Sequence, residues 1–114
     1  MLLTEDHSDA LYQIKSYEPH KITINNKVYT QNLIISSDQL ITNWDAKNLL
    51  QLTDLKPEII LLGTGEKNVA MSIEQLKSLY ELGFSPECMS TRAAAHTYTI
   101  LISEGRRVVA GLIL

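Results

Sequence analysis

Two short segments hold the residue types and spacing that chemistry would need. Gly63-Thr64-Gly65-Glu66 follows an apolar run, and Ser90-Thr91-Arg92 follows a second, shorter run and opens a helical pattern. If the two runs are parallel neighbours in a sheet, both segments lie at the carboxyl ends of their strands, where open α/β sheets bind ligands. A helix N-terminus offers N–H groups without intrahelical partners, which favours an anion. Arg92 puts a positive charge where the helix dipole disfavours one. It is either a solvated surface cation or the mark of an anion nearby. Gly63, Thr64, Gly65, Glu66, Ser90, Thr91 and Arg92 are therefore the candidate ligand-binding residues. Turnover is not expected from them. A hydroxyl needs an adjacent base to become a nucleophile, and Glu66, in a polar loop, lacks the burial that would make it one.

Other motifs are weaker. Gly63-Thr64-Gly65 begins like a dinucleotide fingerprint, but Asn68 stands where the third glycine is required and no Gly-Lys-Ser/Thr follows. A tight turn with close backbone packing is the expected role. Cys88 and His96 resemble a nucleophile and base, yet a strand cysteine beside apolar residues is usually a small core side chain. His96 falls on the outer side of its helix by periodicity. His7, His20 and His96 lack metal-ligand spacing, and Cys88 is the sole cysteine, so no metal, cofactor or intramolecular disulfide is expected. Trp44 reads as a core anchor, and Arg106-Arg107 as a solvated turn.

The elements that must position these residues change character near Pro57. Residues 10–56 are β-rich. Lys21–Ile24 and Val28–Thr30 alternate around Asn25-Asn26-Lys27, a hairpin signature because Asn tolerates positive φ. Tyr12–Tyr17 pairs alongside, and Leu33–Ser36 is a further strand. Leu49, Leu50, Leu52 and Leu55 give Asp45–Leu55 the pattern of a short amphipathic helix that stops before Pro57. Residues 57–114 read as βαβαβ. Glu58–Gly63 is apolar enough to be covered on both faces. Ser72 and Gln75 form a capping box, with Met71 and Leu76 at staple positions. Leu76, Leu79 and Tyr80 make the inward stripe, and Gly83 ends a helix over 72–82. Pro86–Ser90 is a strand, and Thr91 caps a helix over 91–103 that faces inward with Ala94, Thr97, Tyr98, Leu101 and Ile102. Tyr98 is expected to be structural. Gly105 stops that helix, and residues 107–112 form the last strand.

Composition bounds the rest. The chain has 114 residues, 45% hydrophobic and 20% charged, which fits one folded domain, 1–114, and excludes a disordered chain. A net charge of −3 excludes a strongly basic nucleic-acid surface. The acidic start Leu3-Thr4-Glu5-Asp6 does not read as a signal peptide. No apolar run approaches the roughly 20 residues that span a bilayer. A soluble, cytoplasmic protein is the expectation.

Pro57-Glu58-Ile59-Ile60-Leu61-Leu62-Gly63-Thr64-Gly65, then Met89-Ser90-Thr91-Arg92-Ala93-Ala94-Ala95-His96-Thr97-Tyr98-Thr99-Ile100-Leu101, then Glu104-Gly105-Arg106, form a composite pattern. It resembles a small family of unknown-function α/β domains found in archaea, bacteria and eukaryotes. That family includes a mitochondrial respiratory complex I assembly factor and an adipogenesis-associated domain protein. The resemblance implies a three-layer α/β domain, with a central mixed sheet flanked by helices and an extra N-terminal β-hairpin layer. Ser90 replaces the Asp or Asn usual before the Thr, and Thr99 replaces the Asn usual after Thr-Tyr. The resemblance implies a non-enzymatic binding or assembly module acting on protein partners, a second copy of the chain among them. A small-molecule or anion-binding protein using the 63–66 and 90–92 edge is the alternative.

Overall fold

A computed structural model describes residues 10–114. The reading of residues 1–9, including the N-terminal segment and His7, lies outside the described residues. Strands β1 (Ile14–Glu18), β2 (Lys21–Ile24) and β3 (Lys27–Tyr29) form an antiparallel meander. Asn25, at φ 55°, begins the two-residue turn between β2 and β3. Its side chain accepts from the Gln13 N–H at 3.0 Å and donates to the Leu11 carbonyl at 2.9 Å. The hairpin is therefore tied to the chain that precedes it.

The central sheet has five strands: β4 (Leu33–Ile35), β5 (Leu40–Thr42), β6 (Ile59–Gly63), β7 (Glu87–Met89) and β8 (Val108–Leu112), ordered β5-β4-β8-β6-β7. β6 runs parallel to both β7 and β8, while β4 runs antiparallel to β8 and β5. This is the expected mixed sheet with an extra β layer. β5 is an element the sequence pattern did not announce.

Alternation along the strands builds two cores. Leu33, Ile35, Leu61, Val108, Ala110 and Leu112 face one side, where they meet helix α2 (Thr91–Ser103) and the meander residues Ile22 and Ile24. Ile34, Ile60, Leu62 and Val109 face the other, against helix α1 (Ile73–Glu81), Trp44 and the segment Leu49–Leu55. Trp44 is buried as expected, and its indole N–H donates to the Asn48 carbonyl at 3.0 Å.

Five expectations change. Leu49–Leu55 is a 3-10 helix rather than an amphipathic α-helix from Asp45. The reason is spacing: Leu49, Leu52 and Leu55, all buried, recur every three residues, and a three-residue turn aligns them in one row. In α1 the capping box forms, but Tyr80 is 44% exposed, outside the buried pair Leu76 and Leu79. Ser90, not Thr91, caps α2, accepting from the Ala93 N–H at 3.2 Å. On α2, Ala95 joins the buried face with Ala94, Tyr98 and Ile102, while Thr97 and Leu101 are only half-buried. Arg107 is not a solvated turn residue either. Its guanidinium donates to the Leu55 carbonyl at 2.6 Å and to Asp38 at 2.9 Å, and Arg106 pairs with Glu58 at 3.0 Å.

Candidate functional site

The parallel register places Gly63 opposite Met89, so the loops leaving β6 and β7 start side by side. Thr64 donates its N–H to the Met89 carbonyl at 2.9 Å. Its hydroxyl lies 3.1 Å from the Met89 and Lys67 carbonyls and accepts from the Val69 N–H at 3.0 Å. Thr91 is fully buried and ties three segments together. Its N–H donates to the Gly65 carbonyl at 2.8 Å, its Oγ1 accepts from the Gly65 N–H at 2.8 Å, and the same hydroxyl donates to the Ile113 carbonyl at 2.6 Å. The Ile113 N–H in turn donates to the Gly63 carbonyl at 2.9 Å. A side chain at Gly63 would begin 2.9 Å from the Thr91 Cα, so glycine is what allows α2 to start here.

Most polar groups at this edge therefore bind one another. At the start of α2, the Thr91 N–H goes to Gly65 and the Ala93 N–H to Ser90. The Arg92 N–H has no partner among the described residues.

The two charged candidates meet the meander, Arg92 at β1 and Glu66 at the turn between β1 and β2. The Glu66 carboxylate lies 3.2 Å from the His20 Nε2. His20, at φ 69°, places its Nδ1 2.9 Å from the Leu114 carbonyl. Both ring nitrogens thus face acceptors. The Arg92 guanidinium stacks on the Tyr17 ring, 5.2 Å from its centroid. Burial, and secondly the Glu66 charge, push the Tyr17 phenol up from its ordinary pKa, while Arg92 works the other way. The Tyr17 hydroxyl is buried with no hydrogen-bond partner among the described residues. Sequence spacing does not place His20 and Tyr17 beside Glu66 and Arg92. Only the tertiary contact between the meander and the end of β6 brings them there.

Cys88 and His96 do not form a dyad. Cys88 packs into the core on the α1 side, whereas α2, which carries His96 exposed, covers the opposite face. Burial also raises the Cys88 pKa, the wrong direction for a reactive thiolate. Among the described residues, no cluster of His, Cys, Asp or Glu has metal-site geometry. No helix there is long and apolar enough to cross a membrane.

Comparison with known proteins adds context to this geometry. The family model described as "Protein of unknown function (DUF498/DUF598)" matches residues 14–113. The chain is 30% identical over 117 residues to a Francisella tularensis protein named "13 kDa major membrane protein", covering 95% of each. It is 29% identical over 123 residues to the rat NADH dehydrogenase [ubiquinone] 1 alpha subcomplex assembly factor 3. That match covers 98% of this chain and 65% of the rat protein, so the chain spans about two-thirds of that relative. A crystal structure from Bordetella parapertussis superposes with a TM-score of 0.82 at 33% identity, covering 91% of this chain and 96% of that one.

Proposed function

Because the chain belongs to the DUF498/DUF598 family of proteins of unknown function, we propose that it works as a non-enzymatic binding or assembly module acting through protein–protein contact. The observation that carries this reading is an exposed apolar stretch along residues 69–82. Val69 is 59%, Ile73 77%, Tyr80 44% and Leu82 58% exposed. Ile73 and Tyr80 stand two helical turns apart on α1, beside the buried Leu76 and Leu79. Clustered exposed apolar side chains mark interaction surfaces, whereas isolated ones are ordinary. The assembly-factor name of the rat relative supports the same reading. The loop edge serves the fold in this view: Gly65 and Thr91 bond each other, Thr64 bonds Lys67, Met89 and Val69, and Ser90 caps α2 at Ala93.

The test is affinity capture from the source cell with wild type and with an Ile73→Asp, Tyr80→Asp double variant, followed by light scattering of each purified protein. The expected outcome is a partner, another protein or a second copy, recovered with wild type and lost with the variant. Equal recovery by both would remove α1 from the proposal. Hydrolysis of generic ester or phosphate substrates by wild type, abolished by Glu66→Ala, would overturn the non-enzymatic reading.

A further inference from the structure

We propose that the groove between β1 and α2 binds the phosphate group of a small soluble phosphomonoester. This goes beyond the protein-contact reading and does not depend on it, because the groove lies on the α2 side of the sheet and the apolar stretch on the α1 side.

The groove encloses ≈ 290 Å³ between Lys15, Ser16 and Tyr17 on one wall and Arg92, His96 and Thr99 on the other. Arg92, His96 and Thr99 recur at i, i+4 and i+7, so one flank of α2 supplies that wall. The opposing wall is shaped by a β-bulge. The β1–β2 register shifts between Ile14 and Ser16, leaving Lys15 without a ladder partner. Bulges re-aim side chains in this way, and they are frequent beside functional sites.

Three basic side chains face this space, and among the described residues no carboxylate lines it. The carboxylates close to Tyr17 in space or sequence are engaged elsewhere, Glu66 with His20 and Glu18 with Lys21. The donors, by contrast, are open. The Arg92 guanidinium lies over the Tyr17 ring, 5.2 Å from its centroid, and its side chain makes no hydrogen bond or ion pair with a described residue. Its N–H donors are available for bidentate contact with an oxyanion. The His96 side chain makes no hydrogen bond to a described residue, and Lys15 uses one donor, to the Gln13 side chain at 3.3 Å. The hydroxyl of Tyr17, a residue of the same wall, is also without a hydrogen-bond partner among the described residues, an unusual state for a buried hydroxyl.

Phosphate suits this arrangement better than a carboxylate. It carries about −1.5 to −2 charge near neutral pH and three strong acceptor oxygens, against the single charge of a carboxylate. The volume lies near the lower end of small-molecule sites, roughly 300–1,000 Å³, so a compact body attached to the phosphate fits with it.

The test is an amide ¹H–¹⁵N titration of the ¹⁵N-labelled protein with glycerol 3-phosphate at constant ionic strength. Glycerol and succinate serve as uncharged and dicarboxylate controls. Saturable shifts are expected at residues 15–17 and 92–99 with glycerol 3-phosphate, with none from glycerol and weaker binding of succinate. Lys15→Gln and His96→Gln, both exposed positions, should each weaken binding by roughly ten-fold, the loss of one charge-assisted hydrogen bond. Lys47→Gln, beside the opposite core, should leave binding unchanged. The amide spectrum itself reports whether each variant is folded. Shifts that never saturate, shifts centred on residues 63–66, succinate binding as tight as glycerol 3-phosphate, or equal losses from Lys47→Gln would each overturn the proposal.

Discussion

Thr91 shows how a residue chosen for chemistry can be spent on structure. At residue scale the sequence places it correctly at the meeting of two strand ends, but it cannot show that Gly65 and Ile113 will claim both sides of its hydroxyl. Ile113 lies 22 residues further along the chain, and nothing local to Thr91 signals it. Thr91→Val keeps the shape and removes the hydroxyl, orphaning one part-buried N–H and one part-buried carbonyl. A fully buried orphan costs about 1–3 kcal/mol, and partial exposure keeps these two in the lower part of that range, so the variant should lose about 2–4 kcal/mol in urea denaturation. Thr91→Ser keeps the hydroxyl and should lose distinctly less. Equal losses would mean that the methyl, not the hydrogen bonds, is what matters. Tyr98 was more legible. Its spacing from Ala94 and Leu101 predicts burial, and it is fully buried with its hydroxyl donating to the Tyr12 carbonyl at 2.9 Å. Burial, chiefly, holds that phenol well above its ordinary pKa, as befits a structural group.

Elements differ in how far their own residues define them. The α1 start is written locally: Ser72 and Gln75 make both halves of the capping box, with the Gln75 side chain accepting from the Ser72 N–H at 2.9 Å. Its packing face is not. Leu76, Leu79 and Tyr80 satisfy helical periodicity equally, but α1 packs against the narrow Leu49–Leu55 helix, which covers only two of them. The Arg107 clasp is also invisible to periodicity, because it joins the β4–β5 turn, the end of the 3-10 helix and the start of β8. That clasp makes acid stability testable. Hydrogen bonds from Arg107 and then Ser36 hold the Asp38 carboxyl below its ordinary pKa. The unfolded chain therefore takes up this proton at higher pH than the folded one. The stabilisation is complete above the unfolded carboxylate value, about 4, and is lost as pH falls through the lower folded value. Asp38→Asn should be less stable than wild type at pH 7, with the gap closing below about pH 4. Urea midpoints measured from neutral to acid pH check this, and a gap that stays constant would assign it to geometry instead of charge.

The whole molecule is a sheet whose strand order the sequence does not state. Parallel β6 and β7 with intervening α1 follow from the alternation of elements. The insertion of β4 beside β8 does not, because Leu33–Ile35 is apolar throughout and could pair at either side of a sheet. Its burial on both faces is explained only once the meander and α2 cover one side and the 3-10 helix the other. Glycine at 111 tightens that second side, where an added Cβ would lie 2.6 Å from the Trp44 ring. The two sides are unequal. α2 has 13 residues, packs over β6 and β8, and is pinned at Thr91 and Tyr98. α1 has 9 residues and buries only Leu76 and Leu79, leaving Ile73 and Tyr80 outside. Regions with few buried apolar contacts open at lower free energy than the global transition. Native-state hydrogen exchange should therefore show the later amides of α1 exchanging through a local opening, while those of β6, β8 and the middle of α2 exchange only with global unfolding. The opening should leave protection along α2 unchanged, because the sheet separates the two cores. If α1 amides are protected as strongly as those of β8, α1 is part of the cooperative unit, and its exposed side chains decorate a rigid surface instead of an element free to adjust to a partner.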